Sequence, residues 1–160
     1  MANMYREPGT TALLLLSLRL AGYCSKTMKA KLLSAWGYQG DNMNLPVADV
    51  DSAAGYYVKH MGFEIVETGD EPHKKVVLAR EAVQMALAEN GGDPEQDGCA
   101  FRTDNVVALR EEFIANGLSK IGPIDDETRG DGSKYKVFFV VAPDGLCFWF
   151  GELVPDGSDA

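Results

Sequence analysis

The sequence predicts an α+β fold built from two tandem βαβββ modules, which together curve into a partly open barrel around a cavity. Three observations lead there. The phrase LPVADVDSAAGYYVKHMGF at 45–63 has a counterpart in AFRTDNVVALREEFIANGL at 100–118, with Asp49 and Gly62 thirteen positions apart and Asp104 and Gly117 the same. Each phrase is followed by three apolar runs of strand length. A polar stretch rich in Gly and Pro, NGGDPEQD at 90–97, joins the two halves.

Each element has a local reason. Asp49 and Asp104 are expected as N-caps, because a carboxylate there accepts from the orphan amides of the first turn. Gly62 and Gly117 are expected just past the helix ends, where a positive φ is needed. Val50, Ala53, Ala54, Tyr57 and Met61 make one apolar stripe at helical spacing. Val106, Leu109 and Phe113 repeat it, leaving Arg110, Glu111 and Glu112 for the wet side. Behind the first helix come FEIVET, KKVVLA and AVQMALAE, the last two joined tightly through Arg80-Glu81. Behind the second come SKIGPI, YKVFFVVA and LCFWFGE, the last two joined by a Pro143-Asp144-Gly145 turn. The modules are bounded at about 40–89 and about 97–153, inside one domain at 38–155. An acidic loop, DDETRGDGSK at 125–134, is the asymmetry of the second copy. A βαβββ unit curls its sheet around a concave face, and two side by side enclose a hollow.

The 160 residues suffice to bury about 70 % of the unfolded surface. A net charge of −9 opposes nucleic acid and anionic membranes as partners and admits a cationic ligand. Cys24, Cys99 and Cys147 are odd in number and widely spaced, which fits a reducing, cytoplasmic setting. Residues 1–37 are expected to form a weakly ordered or extraneous extension without function. Its run TTALLLLSLRLAGYC is interrupted by Arg19, follows a segment with no net positive charge, and is too short to span a bilayer. Met28 offers an alternative first residue.

The phrases LPVADVDSAAGYYVKHMGFEIVE, FRTDNVVALREEFIANG and VAPDGLCFWFGEL, spanning roughly 42–153, resemble the vicinal oxygen chelate superfamily of glyoxalases, extradiol dioxygenases and bleomycin-resistance proteins. The resemblance implies a homodimer. It also implies that a divalent metal, where present, is held from four strand positions, which correspond here to Asn42, Met85, Gly98 and Trp149. Asn is a weak ligand for such ions, and Met, Gly and Trp offer Mg, Mn, Fe or Zn nothing. The expectation is therefore no metal cofactor and no catalytic residue. His60 and His73 read as surface residues.

With the metal gone, the resemblance points to the bleomycin-resistance type: a small molecule, a cation among the options, bound without chemistry in a cleft with aromatic walls. Trp149, Asn42, Met85, Phe101, Phe139 and Cys147 are the candidate ligand-binding residues. Alternation along LCFWFGE sets Cys147, Trp149 and Gly151 on one face, and Phe148, Phe150 and Glu152 on the other. Trp149 is either a stacking platform or a plug that fills the hollow. The acidic segments DPEQD and DDETRGD either attract a cation or are solvated loops. Two alternatives stand beside this reading. One is a divergent lyase, isomerase or dioxygenase with a divalent metal relocated to Glu89, Glu152 or His73. The other is an interaction module that acts through dimerisation alone.

Overall fold

The computed structural model describes residues 30–155. Its first strand, β1 (Leu32–Gly37), precedes a two-residue strand β2 (Leu45–Pro46), helix α1 (Val50–Met61), and strands β3 (Glu64–Gly69), β4 (Lys75–Arg80) and β5 (Val83–Ala88). A single 3₁₀ turn at Pro94–Gln96 leads into the second half. There β6 (Gly98–Thr103), helix α2 (Val106–Ala115), β7 (Asp125–Thr128), β8 (Lys134–Val141) and β9 (Cys147–Val154) follow in order.

The duplication is plain in the sheets. One runs β2-β5-β4-β3 and the other β1-β6-β9-β8-β7, so in each module the first strand lies beside the fourth. Those two contacts, β2 with β5 and β6 with β9, are parallel, and the remaining pairs are antiparallel. Neither sheet closes on itself, which gives the open, curved arrangement expected.

Both helices press on one face of the sheets, and the two modules share that core. Tyr57, Met61 and Phe63 from the first meet Phe101, Phe113, Phe138, Phe148 and Phe150 from the second. Phe101 stacks on Phe150 with centroids 5.3 Å apart, and Phe138 stacks on Phe150 at 5.1 Å. Burying each such ring is worth roughly 1.5–3 kcal/mol, so this aromatic column is the main adhesive between sheet and helices.

Several expectations are corrected. Leu32–Gly37, on the extension side of the expected boundary, is an ordered strand, with β1 antiparallel to β6. Residues 1–29, including Cys24, the apolar run and Met28, lie outside the described residues. The N-cap of α2 is Asn105, whose side chain accepts from Ala108 N, while Asp104 reaches back to Lys31 N at 2.8 Å. The strand expected at 119–124 contributes only an isolated bridge, Ile121 to Val140, and β7 forms instead within the acidic segment. Glu112, placed on the wet side, is 19 % exposed and bonded through both oxygens to buried Arg80.

Candidate ligand-binding face

The helix-free face of the five-stranded sheet can be mapped from register. One row across it runs Trp36, Ala100, Trp149, Phe139, and the next runs Ser34, Arg102, Gly151, Val137, Asp125. Trp149 sits near the middle of this face. Its ring lies over Gly151, where an added Cβ would stand 2.2 Å from the indole, so glycine is required beneath it. Trp36 and Tyr135 flank it, with centroids at 5.6 and 5.3 Å. The Arg129 guanidinium covers the ring at 4.7 Å from its centroid, a cation–π contact worth about 0.5–2 kcal/mol. Glu127 completes the arrangement: it accepts from Trp149 Nε1 at 3.3 Å and holds Arg129 Nε at 3.1 Å. Covered in this way, Trp149 is only 4 % exposed.

Its neighbours are open. Trp36 is 38 % exposed, Phe139 44 % and Val141 51 %, an apolar surface that no described residue covers. At the far end of the face Tyr38 occupies the space above Gly98, where a Cβ would meet its ring at 2.6 Å and the Cys147 carbonyl closer still. Aromatic rings thus lie on two glycines of adjacent strands.

Of the six candidate residues, the structure puts three on this face: Trp149, Phe139 and half-buried Cys147. Asn42 lies apart, in the loop before β2. There its Nδ2 donates to the Gln84 carbonyl at 2.6 Å and it lines a cavity of about 360 Å³ with Ala35, Ala79 and Gln84. Met85 and Phe101 are corrected. Both are fully buried on the helix side, in the shared core, and strand alternation gives the opposite face to Gln84 and Ala86. Sequence reasoning missed Trp36 and Tyr38, which stood in or at the edge of the supposed extension, and Arg129, hidden in an acidic run. The signal available was the WGY triplet, two aromatics around a glycine just before the first module.

The carboxylates proposed for a relocated metal have other work. Glu89 accepts from Val50 N at 3.0 Å and Glu152 from Val106 N at 2.8 Å. Each stands at the end of its module's fourth strand and binds the first amide of that module's helix, where the helix dipole favours negative charge. His73 is exposed in a loop, and His60 Nδ1 donates to the Asn116 carbonyl at 2.9 Å. Three acids of the two polar segments are likewise engaged locally: Asp93 caps the 3₁₀ turn, Asp126 pairs with Lys136 and Asp131 closes a turn at Ser133.

Residues 40–150 match the family model of the glyoxalase/bleomycin resistance protein/dioxygenase superfamily. The chain belongs to that superfamily. Among solved members of similar fold is the bleomycin resistance determinant encoded on transposon Tn5, 24 % identical over 69 % of this chain and 93 % of that one, with a TM-score of 0.55. A bleomycin-binding protein complexed with bleomycin is 22 % identical over 69 % and 95 %, at 0.54. TnmS3, an antibiotic-binding protein from Streptomyces sp. CB03234, is 16 % identical over 71 % and 95 %, also at 0.54. No curated protein sequence matches the chain.

The superfamily's metal can be tested against the residues present. Gly98 has no room for a side chain, the Trp149 ring is committed to Gly151 and Glu127, and Met85 faces the core. Among the described residues no three His, Cys, Asp or Glu side chains converge as a metal site would need. The donor set does not fit a divalent ion at the superfamily's positions. Among the described residues, also, no helix is long and apolar enough to cross a membrane.

Proposed function

We propose that the protein binds a small organic molecule on the helix-free face of the five-stranded sheet and sequesters it there, without a metal and without chemistry. The single observation that carries this reading is the open apolar surface of Trp36, Phe139 and Val141 grouped around a preorganised Trp149. Large exposed apolar side chains grouped on one sheet face in this way mark an interaction site. Flat side chains suit a flat ligand, and among the described residues no three His, Cys, Asp or Glu side chains gather on the face as a metal site would need. Similarity in fold to a bleomycin-binding protein and to TnmS3 supports the same class of activity. A second copy of the chain, related by two-fold symmetry, closes the face into a cleft. The setting is the cytoplasm, where Cys99 and Cys147 stay as free thiols.

The test is a thermal-shift screen of planar natural products, bleomycin included, run beside elemental analysis of the purified protein. Stabilisation by a ligand, lost in Trp149→Ala and achieved with no stoichiometric Mn, Fe, Ni or Zn, is the expected result. Retention of one such ion per chain, together with ligand stabilisation that disappears on chelation, would refute the reading.

A further inference from the structure

The electrostatics of the binding face are unlike those of the chain as a whole. The protein is strongly acidic, yet among the described residues the side-chain charge left unanswered at the centre of this face is positive. Arg102 lies on β6 between Ser34 of β1 and Gly151 of β9, on the side of the strand that carries Ala100 and faces Trp149. It makes no ion pair and no side-chain hydrogen bond among the described residues, and its Nε is buried without a partner. A buried N–H left unmade is costly, which makes its neighbourhood informative. Gly151 on one side offers no side chain. Asp125 shares the row but stands three strands away, about 14 Å at ordinary strand spacing, too far to pair.

The groups that would welcome a cation are already spent. The exposed side of the Trp149 ring is covered by the Arg129 guanidinium, which also takes Glu127. An incoming ammonium would have to displace that intramolecular cation and would then sit near the unpaired charge of Arg102. A carboxylate meets neither obstacle. It can receive the two Nη groups of Arg102 together, a two-bond mode for which a guanidinium is shaped.

We propose that the ligand carries a carboxylate or a similarly planar anionic group, and that Arg102 receives it while the ligand's apolar body lies on Trp36. This rests on the reading of the face as a ligand site and narrows it from a cation-tolerant site to one for an aromatic or amphiphilic acid.

Three probes of one shape decide the matter by calorimetric titration: 2-naphthoate, 2-naphthylmethanol and 2-naphthylmethylammonium, against the wild-type chain and Arg102→Gln. The wild type should bind the carboxylate about 10- to 100-fold more tightly than the alcohol and discriminate against the ammonium. Arg102→Gln should lose that preference while still binding the alcohol, and Arg102→Lys should recover only part of it, having charge without the two-pronged geometry. A melting temperature equal to wild type shows that the variant is folded. If the ammonium binds best, or if the carboxylate binds Arg102→Gln as tightly as wild type, this inference fails and the ligand site stands. Arg102→Gln falling apart as an assembly with probe preference unchanged would assign the arginine to the subunit interface and overturn it too. Binding of none of the three probes would overturn the ligand-site reading and this inference with it.

Discussion

Arg80 anchors more of the molecule than any other single side chain described. Its guanidinium donates to the carbonyls of Met61 and Ala30 at 2.7 and 3.1 Å and grips Glu112 with both Nη atoms, while Nε reaches Glu81 at 3.0 Å. One residue thereby ties the end of α1, the segment before β1, α2 and the β4–β5 turn. Arg80→Met leaves Glu112 and two carbonyls without their donor, and breaking a buried pair from one side costs about 3–5 kcal/mol; a urea titration should show that loss. At the binding face, Gly151→Ala pushes against the indole where it lies closest, and should cost about 1–3 kcal/mol as overpacking does. A midpoint unchanged from wild type would show that the ring has room to move. That Trp149 lies opposite Phe148 and Phe150 was legible in LCFWFGE from strand alternation, but which of the two sides faces the helices was not. The facing of Met85 was not legible either. Val83 to Ala88 is apolar at nearly every position, and when both sides of a strand are covered, alternation cannot say which side is which. Phe101 misled for a related reason: an aromatic ring serves a core as readily as a cleft.

The elements owe their ends to polar side chains, and here the sequence spoke clearly at α1 and less so at α2. Asp49 accepts from Asp51 N and Ser52 N, and Gly62 takes φ 73° at the other end. Asp49→Ala should cost about 1 kcal/mol. At the second helix Asn105→Ala should cost a similar amount in the same denaturation assay, with Ala108 N as the amide left over. The adjacent pair Asp104-Asn105 offered two good caps, and the spacing argument chose the one that matches Asp49 instead of the one that caps. β7 was illegible because Asp125, Asp126, Glu127 and Thr128 carry no apolar alternation; an edge strand bound to β8 alone needs none. The turn between β8 and β9 is fastened to α1 by Tyr57 Oη, which donates to Asp144 at 2.7 Å. Burial holds the Asp144 carboxyl above its ordinary value, against the opposing bonds from Leu146 N and the Tyr57 hydroxyl. The folded state therefore keeps this proton to higher pH than the unfolded chain does. Its contribution is greatest below the unfolded pKa and is lost as pH rises through the raised folded one. Asp144→Asn should accordingly gain stability relative to wild type on going from acidic to neutral pH, as judged by urea unfolding at both. A difference independent of pH would mean that the carboxyl titrates alike in the two states.

Across the whole molecule, the doubling of one βαβββ plan was the most legible feature, because it was written twice in the same order. It is repeated in detail that spacing alone did not reveal: the first-fourth-third-second strand order and the carboxylate at the end of each fourth strand that binds its own helix. What the sequence hid was the reach of the N-terminal segment, since the apolar run before it drew Trp36 into a stretch read as dispensable and left Tyr38 at its edge. The open face also bears on assembly. Val141 is more than half exposed beside Phe139 on the same side of β8, and a face of that kind is expected to be covered in solution. Light scattering should give about twice the 17.4 kDa chain mass, and Val141→Glu should return the single-chain value without altering the fold. A wild-type chain that elutes as a monomer at high concentration would remove the second copy from the cleft. The chain has two tryptophans, and they stand 5.6 Å apart with their planes inclined by 51°. Chromophores so close and so skewed share their electronic excitations, so the pair should give a two-signed circular dichroism band in the ultraviolet. Anything that settles between or beside the two indoles must change the shape of that band, and the protein thus carries an unlabelled optical gauge at the place where its occupant arrives.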